Sequence, residues 1–283
     1  MRYLQPETIE DLLKDLDYES NNQIIAGGSD LVIIMEETGI KPEILIDITN
    51  IDELKGIRKE EYGISIGAAT TIADISSNQE LPCCLATGAA SIGSPQIRNV
   101  ATIGGNLCNA SPCGDTLAPL LCLSADFLLQ ANQKERWVSA ENFFIGPKKT
   151  VLNKNEVLSQ IRINKKYLEG YSGFGMIGQR NGQAISQVNL AVWLKRSDES
   201  GLIEEIRIAA GSVAPTPIRI PEAEEMLCGT NPDSELILRA GLLVQTGISP
   251  IDDVRSSAEY RQDVIIGLFY DIITQILKEP KSC

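Results

Sequence analysis

The sequence predicts an α+β protein built from two domains, and three observations support this fold class. The chain has 283 residues, which exceeds the ~100–200 residues of a typical single domain. Residues 1–168 mix short apolar runs that end at glycine with helical patterns, as expected for interleaved strands and helices. Residues 169–283 instead place strand patterns before helical ones. We therefore place the domain boundary near residue 168, where a Glu-Gly-Tyr-Ser-Gly segment supplies flexible residues.

The first domain, residues 1–168, is divided into subdomains of about 1–57 and 58–168. Apolar residues at helical spacing predict a helix over 9–16, introduced by Thr8, and further helices over 71–78 and 82–93. Short apolar runs predict strands over 23–26, 44–47, 62–67, 126–130, 137–139 and 157–163. Asp30 is predicted to cap the apolar run over 31–35. The stretch 101–115, which bears glycine and asparagine, is predicted to be a long loop.

The second domain, residues 169–283, is predicted to hold a three-stranded sheet followed by helices. Strand patterns cover 186–194, 203–209 and 217–220. A helix is expected over 221–228, because proline is favoured in the first turn of a helix. Two longer helices are expected over 233–247 and 257–277, the latter with apolar residues repeated at helical spacing.

The charge balance and the composition exclude several classes of function. The chain has 25 lysine and arginine residues against 38 aspartate and glutamate residues, a net charge of −13. Nucleic acid and anionic membrane surfaces attract dense positive charge, so neither is expected as the main partner. The sequence contains no histidine, which excludes Ser-His-Asp hydrolysis and every metal site that needs imidazole. The seven cysteines fit neither zinc-ribbon nor iron–sulfur spacing, so no metal site is expected in this chain.

The N-terminal segment and the hydropathy pattern bear on where the protein works. Residues 1–16 are acidic and amphipathic, unlike the basic and then apolar pattern of a signal peptide. No stretch approaches the ~18 consecutive apolar residues of a membrane span. We therefore expect no membrane span and a cytoplasmic location.

Two paired-glycine motifs are the strongest candidates for a binding site. Residues 25–30 read Ile-Ala-Gly-Gly-Ser-Asp, and residues 101–106 read Ala-Thr-Ile-Gly-Gly-Asn. Glycine lacks a Cβ atom, so its backbone N–H can come close to a phosphate oxygen, and Ser29 and Thr102 add hydroxyl donors. Two such loops could clamp a pyrophosphate from both sides. Neither motif has the spacing of the Rossmann dinucleotide fingerprint or of the P-loop.

The sequence around the second motif is the most specific feature of the chain. Residues 102–121 read Thr-Ile-Gly-Gly-Asn-Leu-Cys-Asn-Ala-Ser-Pro-Cys-Gly-Asp-Thr-Leu-Ala-Pro-Leu-Leu. This run strongly resembles the FAD-binding medium subunit of the molybdenum hydroxylases, the xanthine dehydrogenase and carbon monoxide dehydrogenase family. Residues 26–31, 66–70 and 253–261 match further motifs of that family. The resemblance covers essentially the whole chain.

The resemblance implies two flavin-binding loops and further contacts to FAD. The first loop, around the pyrophosphate and ribityl chain, would comprise Ile24, Ile25, Ala26, Gly27, Gly28, Ser29, Asp30 and Leu31. The second loop would comprise Thr102, Gly104, Gly105 and Asn106. Cys108 stands where the family packs an apolar residue against the isoalloxazine ring, with reactive-thiol chemistry as the alternative. Leu158 aligns with a flavin-ring contact.

Asp115 has two possible roles, and two other positions depart from the family pattern. The resemblance assigns Asp115 a hydrogen bond to the flavin or its ribityl side, whereas local sequence suits an N-cap for a helix over 116–123. Both roles could coexist. Met176 stands where many family members carry lysine, and Ala184 stands where many carry tyrosine. These departures bear on the flavin's reduction potential and electron acceptor.

The resemblance also implies a fold and an activity. The fold would be a PCMH-type (p-cresol methylhydroxylase-type) FAD-binding domain of two subdomains, followed by a C-terminal domain of the CO dehydrogenase flavoprotein type. The chain would be the electron-transfer subunit of a heterotrimer and would carry FAD but no catalytic residue. A large subunit with the molybdenum cofactor would hydroxylate a purine-like or other N-heterocyclic substrate, and a small subunit would carry two [2Fe-2S] clusters. Electrons would leave the FAD to NAD⁺ or another acceptor.

Two alternative functions use the same fold. A stand-alone FAD reductase or oxidase would need a proton donor and a substrate-binding cation cluster near the flavin, and no motif indicates either one. A structural subunit without flavin would have lost its binding loops, yet both glycine loops are intact. The sequence therefore favours the electron-transfer subunit.

Overall fold

The computed structural model describes residues 1–16, 21–180 and 182–278, which form three consecutive parts. The elements of the first part are β1 (Arg2–Leu4), α1 (Ile9–Leu16), β2 (Asn22–Ile25), α2 (Leu31–Thr38) and β3 (Ile44–Asp47). The three strands form a parallel sheet in the order β1-β3-β2. Helix α1 buries Leu12 and Leu16 in the core of this part, as its apolar spacing predicts.

The second part is a five-stranded antiparallel sheet with a group of short helices. Its elements are β4 (Ile57–Glu60), β5 (Gly63–Gly67), α3 (Ile72–Ser77), α4 (Cys83–Ser91), α5 (Pro95–Arg98), α6 (Ile103–Asn109), α7 (Leu117–Cys122), β6 (Asp126–Ala131), β7 (Lys134–Ser139), α8 (Ala140–Phe143), β8 (Phe144–Gly146), β9 (Lys149–Thr150) and β10 (Val157–Asn164). The main sheet has the order β4-β5-β10-β6-β7, and β8 pairs with β9. The two parts together contain all the strands predicted between residues 1 and 168.

The third part has strands first and helices afterwards, as the sequence predicts. Its elements are β11 (Tyr171–Ile177), β12 (Val188–Arg196), β13 (Ile203–Gly211), β14 (Ile218–Arg219), α9 (Pro221–Leu227), α10 (Ser234–Thr246) and α11 (Ala258–Lys278). The strands form an antiparallel sheet in the order β11-β12-β13-β14. Asp233 caps α10, because its carboxylate accepts a hydrogen bond from the N–H of Leu236 at 2.8 Å.

The C-terminal sheet has four strands where the sequence predicts three. The three predicted strands are present, and the additional strand, β11, covers much of the glycine-bearing segment predicted to be flexible. Glycines at 173 and 175 suit this strand because Ile272 of α11 packs directly over them. The small residues that predict a linker at this position therefore belong to strand β11, which helix α11 approaches closely.

The stretch 101–115, predicted to be a long loop, contains helix α6, so that prediction is wrong for Ile103–Asn109. The side chain of Thr102 caps the helix by accepting a hydrogen bond from the N–H of Gly105 at 3.1 Å. The N–H of Gly104 donates to the carbonyl oxygen of Ala68 at 2.8 Å, and a Cβ atom on Gly104 would lie 2.6 Å from that oxygen. Tertiary contact to residue 68 thus stabilises a helix that glycine would otherwise disfavour.

The C-terminal sheet is covered on both faces. On β12, Ala191 and Trp193 belong to the core shared with the second part, whereas Leu190 and Val192 belong to the core under the last three helices. This alternation follows from the period of two in a strand. Helices α4 and α7 pack against one face, and α9 and α11 pack against the other. The sheet therefore joins the two domains as well as forming its own core.

The longest helix, α11, spans 21 residues and carries charged side chains along its length. Within the described residues, no helix is both long enough and apolar enough to cross a bilayer. In the same part of the chain, no three or more cysteine, aspartate or glutamate side chains come together as metal ligands would.

Candidate functional site

A cleft of about 1130 Å³ lies where the three parts of the structure meet. Pockets for drug-sized ligands have volumes of about 300–1,000 Å³, so this cleft has room for a larger, dinucleotide-sized molecule. All of the residues predicted as flavin contacts line it, namely Ile24, Ile25, Ala26, Gly27, Gly28, Ser29, Asp30, Leu31, Thr102, Gly104, Gly105, Asn106, Cys108, Asp115 and Leu158. The structure thus brings together positions that are separated by more than a hundred residues in the chain.

The first glycine loop connects β2 to α2 and packs tightly against the segment that leads to the second loop. A Cβ atom on Gly27 would lie 1.8 Å from the carbonyl oxygen of Val100, so only glycine fits at this position. Gly28 has a φ of +69°, in the left-handed region that favours glycine. These two requirements explain the paired glycine and hold the first loop against the second.

Helix α2 begins at this loop with backbone donors that have no protein acceptor. Asp30 occupies the N-cap position, but its side chain makes no capping hydrogen bond, so the predicted cap is wrong in that respect. In the described chain, the N–H groups of Ser29, Asp30 and Leu31 donate to no protein acceptor. Unpaired N–H groups at a helix N-terminus attract an anion, and the three residues that carry them line the cleft. The loop thus has the chemistry that a phosphate group requires.

The second glycine loop, whose glycines form the first turn of α6, contributes a close backbone approach and the hydroxyl of Thr102. The hydroxyl of Thr102 accepts from Gly105 and keeps its own proton to donate. A Cβ atom on Gly105 would meet only the Thr102 hydroxyl oxygen, at 3.0 Å, so this glycine is otherwise open to the cleft. The side-chain oxygen of Asn106 accepts from the hydroxyl of Thr116 at 2.6 Å, which leaves the Asn106 amide hydrogens to donate.

Asp115 lies at the wall of the cleft with its carboxylate held from the C-terminal domain. The Oδ1 atom accepts hydrogen bonds from the hydroxyl of Ser186 at 2.5 Å and from the side-chain amide of Asn189 at 3.0 Å. The N-cap of α7 is Thr116, which makes no side-chain capping bond, so the predicted capping role of Asp115 is wrong. Burial raises the pKa of Asp115 to about 6, although the bonds from Ser186, Ser91 and Asn189 lower it.

We expect Asp115→Asn to stabilise the chain without cofactor at neutral and higher pH. The folded-state pKa of about 6 is above the ordinary value of 3.8. The stabilising contribution of Asp115 is therefore complete below pH 3.8 and is lost as the pH rises through 6. At pH 8 the buried carboxylate costs roughly 3 kcal/mol that asparagine avoids.

Urea unfolding of the cofactor-free variant and wild type at pH 4.5 and pH 8 measures this difference. The advantage of the variant should be several times larger at pH 8. An equal advantage at both pH values would contradict the raised pKa of Asp115.

Family-model comparisons identify both domains of the chain. Residues 1–165 match the model described as the FAD binding domain in molybdopterin dehydrogenase. Residues 176–276 match the CO dehydrogenase flavoprotein C-terminal domain. The chain belongs to the FAD-binding subunits of the molybdenum hydroxylase family. The flavoprotein subunit thus carries a FAD-binding domain followed by the C-terminal domain of that family, and the boundary near residue 168 stays a prediction.

Relatives and a solved structure agree with this assignment along nearly the full chain. The glyceraldehyde dehydrogenase medium chain of Sulfolobus acidocaldarius is 33% identical over 269 residues, 93% of each chain. The xanthine dehydrogenase FAD-binding subunit of Escherichia coli O157:H7 is 30% identical, covering 96% of this chain and 94% of the relative. A chain of carbon monoxide dehydrogenase from Hydrogenophaga pseudoflava superposes with a TM-score of 0.91 at 31% identity, covering 98% and 96% of the two chains.

Two predicted flavin contacts of the flavoprotein subunit are apolar or weakly polar side chains. Leu158 is buried and still reaches the cleft lining. Cys108 also lines the cleft, and its side chain is exposed there. Its predicted packing against the flavin ring, with reactive-thiol chemistry as the alternative, stays a prediction.

The positions that depart from the family pattern lie on the C-terminal side of the cleft. Ala184 is a lining residue and leaves its part of the wall without an aromatic ring. Met176 is not a lining residue, and its sulfur lies 3.6 Å from the hydroxyl of Ser186. Met176 therefore contacts a residue that hydrogen-bonds Asp115.

Sequence reasoning missed a charged group of the flavoprotein subunit that lines the cleft from the C-terminal domain. Buried Arg261 pairs with Asp253 at 2.7 Å and donates to the carbonyl oxygen of Ser212 at 2.7 Å. Arg255, which is more exposed, pairs with the same carboxylate at 3.3 Å. Burial raises the pKa of Asp253, but hydrogen bonds from the backbone of Arg255, from Arg261 and from the backbone of Ser256 lower it to about 2. The matching 253–261 motif was the available signal for this group.

Proposed function

We propose that FAD binds in the cleft, with its pyrophosphate between the two glycine loops and its flavin toward Asp115. The observation that supports this most strongly is the common location of all the predicted contacts in one cleft. The unpaired N–H groups that begin α2 suit the pyrophosphate. Leu158, Cys108 and Ala184 offer the apolar surface that a flavin ring requires.

We propose that the chain transfers electrons within a heterotrimer and leaves the organic substrate to another subunit. The relatives are named as medium chains or FAD-binding subunits of dehydrogenases, which supports partner subunits. A large partner would carry the molybdenum cofactor, and a small partner would carry two [2Fe-2S] clusters. When bound, FAD supplies a centre that takes up electrons singly and can release them as a pair. The residues of this chain would hold, orient and tune the flavin.

For the substrate of the complex we propose a purine-like or other N-heterocyclic compound. The xanthine dehydrogenase relative supports this class, whereas the glyceraldehyde and carbon monoxide dehydrogenase relatives define the competing ones. We propose NAD⁺ as the acceptor, with ferredoxin or a quinone as the competing classes. A cytoplasmic location stays a prediction from the sequence.

The charged side chains of the cleft bear on the alternative of a stand-alone reductase. A reductase would need free cations to bind an anionic substrate beside the flavin. Arg255 and Arg261 both line the cleft, and both are paired with Asp253. Lys148 also lines the cleft and makes no ion pair with a described residue, so it is the cation that a reductase would use.

The first experiment is a visible absorption spectrum of the purified chain, with the released chromophore identified by mass. We expect bound FAD, which anaerobic NADH should reduce if NAD⁺ is the physiological acceptor. A flavin that dithionite reduces but NADH does not would redirect the acceptor to ferredoxin or a quinone. A chain that stays colourless after incubation with FAD and its partner subunits would contradict the proposal and favour a structural subunit.

A further inference from the structure

The C-terminal domain holds the carboxylate of Asp115 through one of its two oxygens. The hydrogen bonds from Ser186 and from Asn189 both end on the Oδ1 atom. The hydroxyl of Ser91 also lowers the pKa of Asp115 by hydrogen bonding, and it donates to the carbonyl oxygen of Gly88 at 2.7 Å. Asp115 lines the cleft, and neither donor from the C-terminal domain occupies its Oδ2 atom.

Asn189 is placed for this single contact. Its amide nitrogen donates to Asp115, while its own Oδ1 atom is buried and has no hydrogen-bond partner. A buried acceptor without a partner is unfavourable, so the bond to Asp115 accounts for an amide at this position. Gly211 faces Asn189 on the neighbouring strand, and a Cβ atom there would lie 2.3 Å from the Asn189 oxygen. Glycine at 211 leaves the space that the Asn189 side chain occupies.

Ser186 completes the arrangement from the segment that precedes β12. Its hydroxyl is fully buried and donates to Asp115 across a separation of 71 residues in the chain. The same boundary between domains is fixed nearby, where the N–H of Ser212 donates to the carbonyl oxygen of Pro112 at 2.9 Å. The loop that carries Asp115 is therefore held by the C-terminal domain at two points.

We propose that Ser186 and Asn189 are positioning residues that fix Asp115 Oδ1 and turn Oδ2 toward the cleft as an acceptor for FAD. The inference rests on FAD binding in the cleft and adds residues of the C-terminal domain to the determinants of that binding. The O–H and N–H groups of the ribityl chain and flavin ring are the donors that such an oxygen accepts. No charged side chain of the described chain alters the pKa of Asp115, on which Ser186, Ser91 and Asn189 act. Together with Ser91, the two donors therefore also lower the pKa of the carboxylate, which burial raises.

The test compares Ser186→Ala and Asn189→Ala with the wild-type chain, each stripped of flavin and titrated with FAD between pH 5 and pH 9. Removal of one hydrogen bond to a carboxylate should raise the FAD dissociation constant about tenfold at pH 7.5. Each variant loses a donor that lowers the pKa of Asp115. The pH at which FAD affinity is half-maximal should therefore rise by about one pH unit.

Ser172→Ala is the matched control. Ser172 also contributes a hydroxyl to the boundary between the domains, where it accepts from the N–H of Cys84 at 3.1 Å without touching Asp115. This variant should lose stability to urea but keep the wild-type FAD affinity and pH midpoint. A loss of FAD affinity in Ser172→Ala equal to that in Ser186→Ala would overturn the proposal, because it would show that any weakening of the boundary releases FAD.

A double-mutant cycle with Asp115→Asn tests whether the effect passes through the carboxylate. In that background, adding Ser186→Ala should change FAD affinity by less than about twofold, because the two sites act as one unit. If the double variant bound FAD ten times more weakly than Asp115→Asn alone, that result would overturn the positioning role. A wild-type chain that binds no FAD at any pH would instead contradict the proposed function itself.

Discussion

Gly105→Val should abolish retention of FAD while leaving the fold intact. The cleft lies beyond the Cβ position of Gly105, where only the Thr102 hydroxyl oxygen is near, at 3.0 Å. The two methyl groups of valine would therefore occupy the space assigned to the pyrophosphate instead of disturbing the core. Overpacking of a filled site costs about 1–3 kcal/mol, so the FAD dissociation constant should rise by about 5- to 140-fold.

The measurement is the flavin-to-protein ratio after purification, followed by FAD titration of the apoprotein. Gly267→Val is a suitable control, because a Cβ atom at this position of α11 meets nothing within 4 Å and lies outside the cleft lining. The control should keep the wild-type FAD ratio. Full FAD occupancy in Gly105→Val would mean that the second loop does not approach the cofactor.

Arg261→Ala should be the most destabilising side-chain truncation at the rim of the cleft. The guanidinium is 3% exposed and donates both to Asp253 and to the carbonyl oxygen of Ser212. Its removal leaves the carbonyl oxygen of Ser212 without this donor and the partly exposed Asp253 carboxylate without its closest cation, which typically costs about 1–3 kcal/mol. Urea unfolding at pH 7 should show this loss.

Arg255→Ala provides the matched comparison, since it removes a second arginine from the same carboxylate. The Arg255 side chain is 37% exposed, and exposed ion pairs contribute about 0–1 kcal/mol. Arg261→Ala should therefore cost about 1–2 kcal/mol more than Arg255→Ala. Equal losses would show that Asp253, rather than the buried hydrogen bonds of Arg261, carries the stability.

Local patterns in the sequence predicted the elements whose signals are contained within a few residues. The apolar spacing of α1 and the period of two in β5 are examples, and the glycine motifs identified both loops of the cleft. Helix α6 could not be predicted in this way. Its first turn is stabilised by a hydrogen bond from Gly104 to the carbonyl oxygen of Ala68, a residue 36 positions earlier in the chain. Strand β11 was missed because its glycines carry no strand signal until α11 lies over them.

The partners of Asp115 illustrate the same limit at the site. The sequence identified Asp115, but it predicted a capping hydrogen bond from the first turn of the helix that follows this residue. Ser186 and Asn189 lie 71 and 74 residues away in the chain, and no periodicity links them to Asp115. Such pairings depend on the packing of one domain against the other, which a single sequence does not display.

Trp193 joins the two domains, so we expect the first domain to need the second one for expression as a stable protein as well as for its packing. Its indole N–H donates to the carbonyl oxygen of Tyr167 at 3.0 Å, and the two aromatic rings meet edge to face at 5.0 Å. A truncated chain that stopped at residue 168 would leave Tyr167 and the outer surface of α7 facing water. We expect such a fragment to aggregate on expression, so attempts to transplant the flavin-binding half alone into another complex should carry β12 with it.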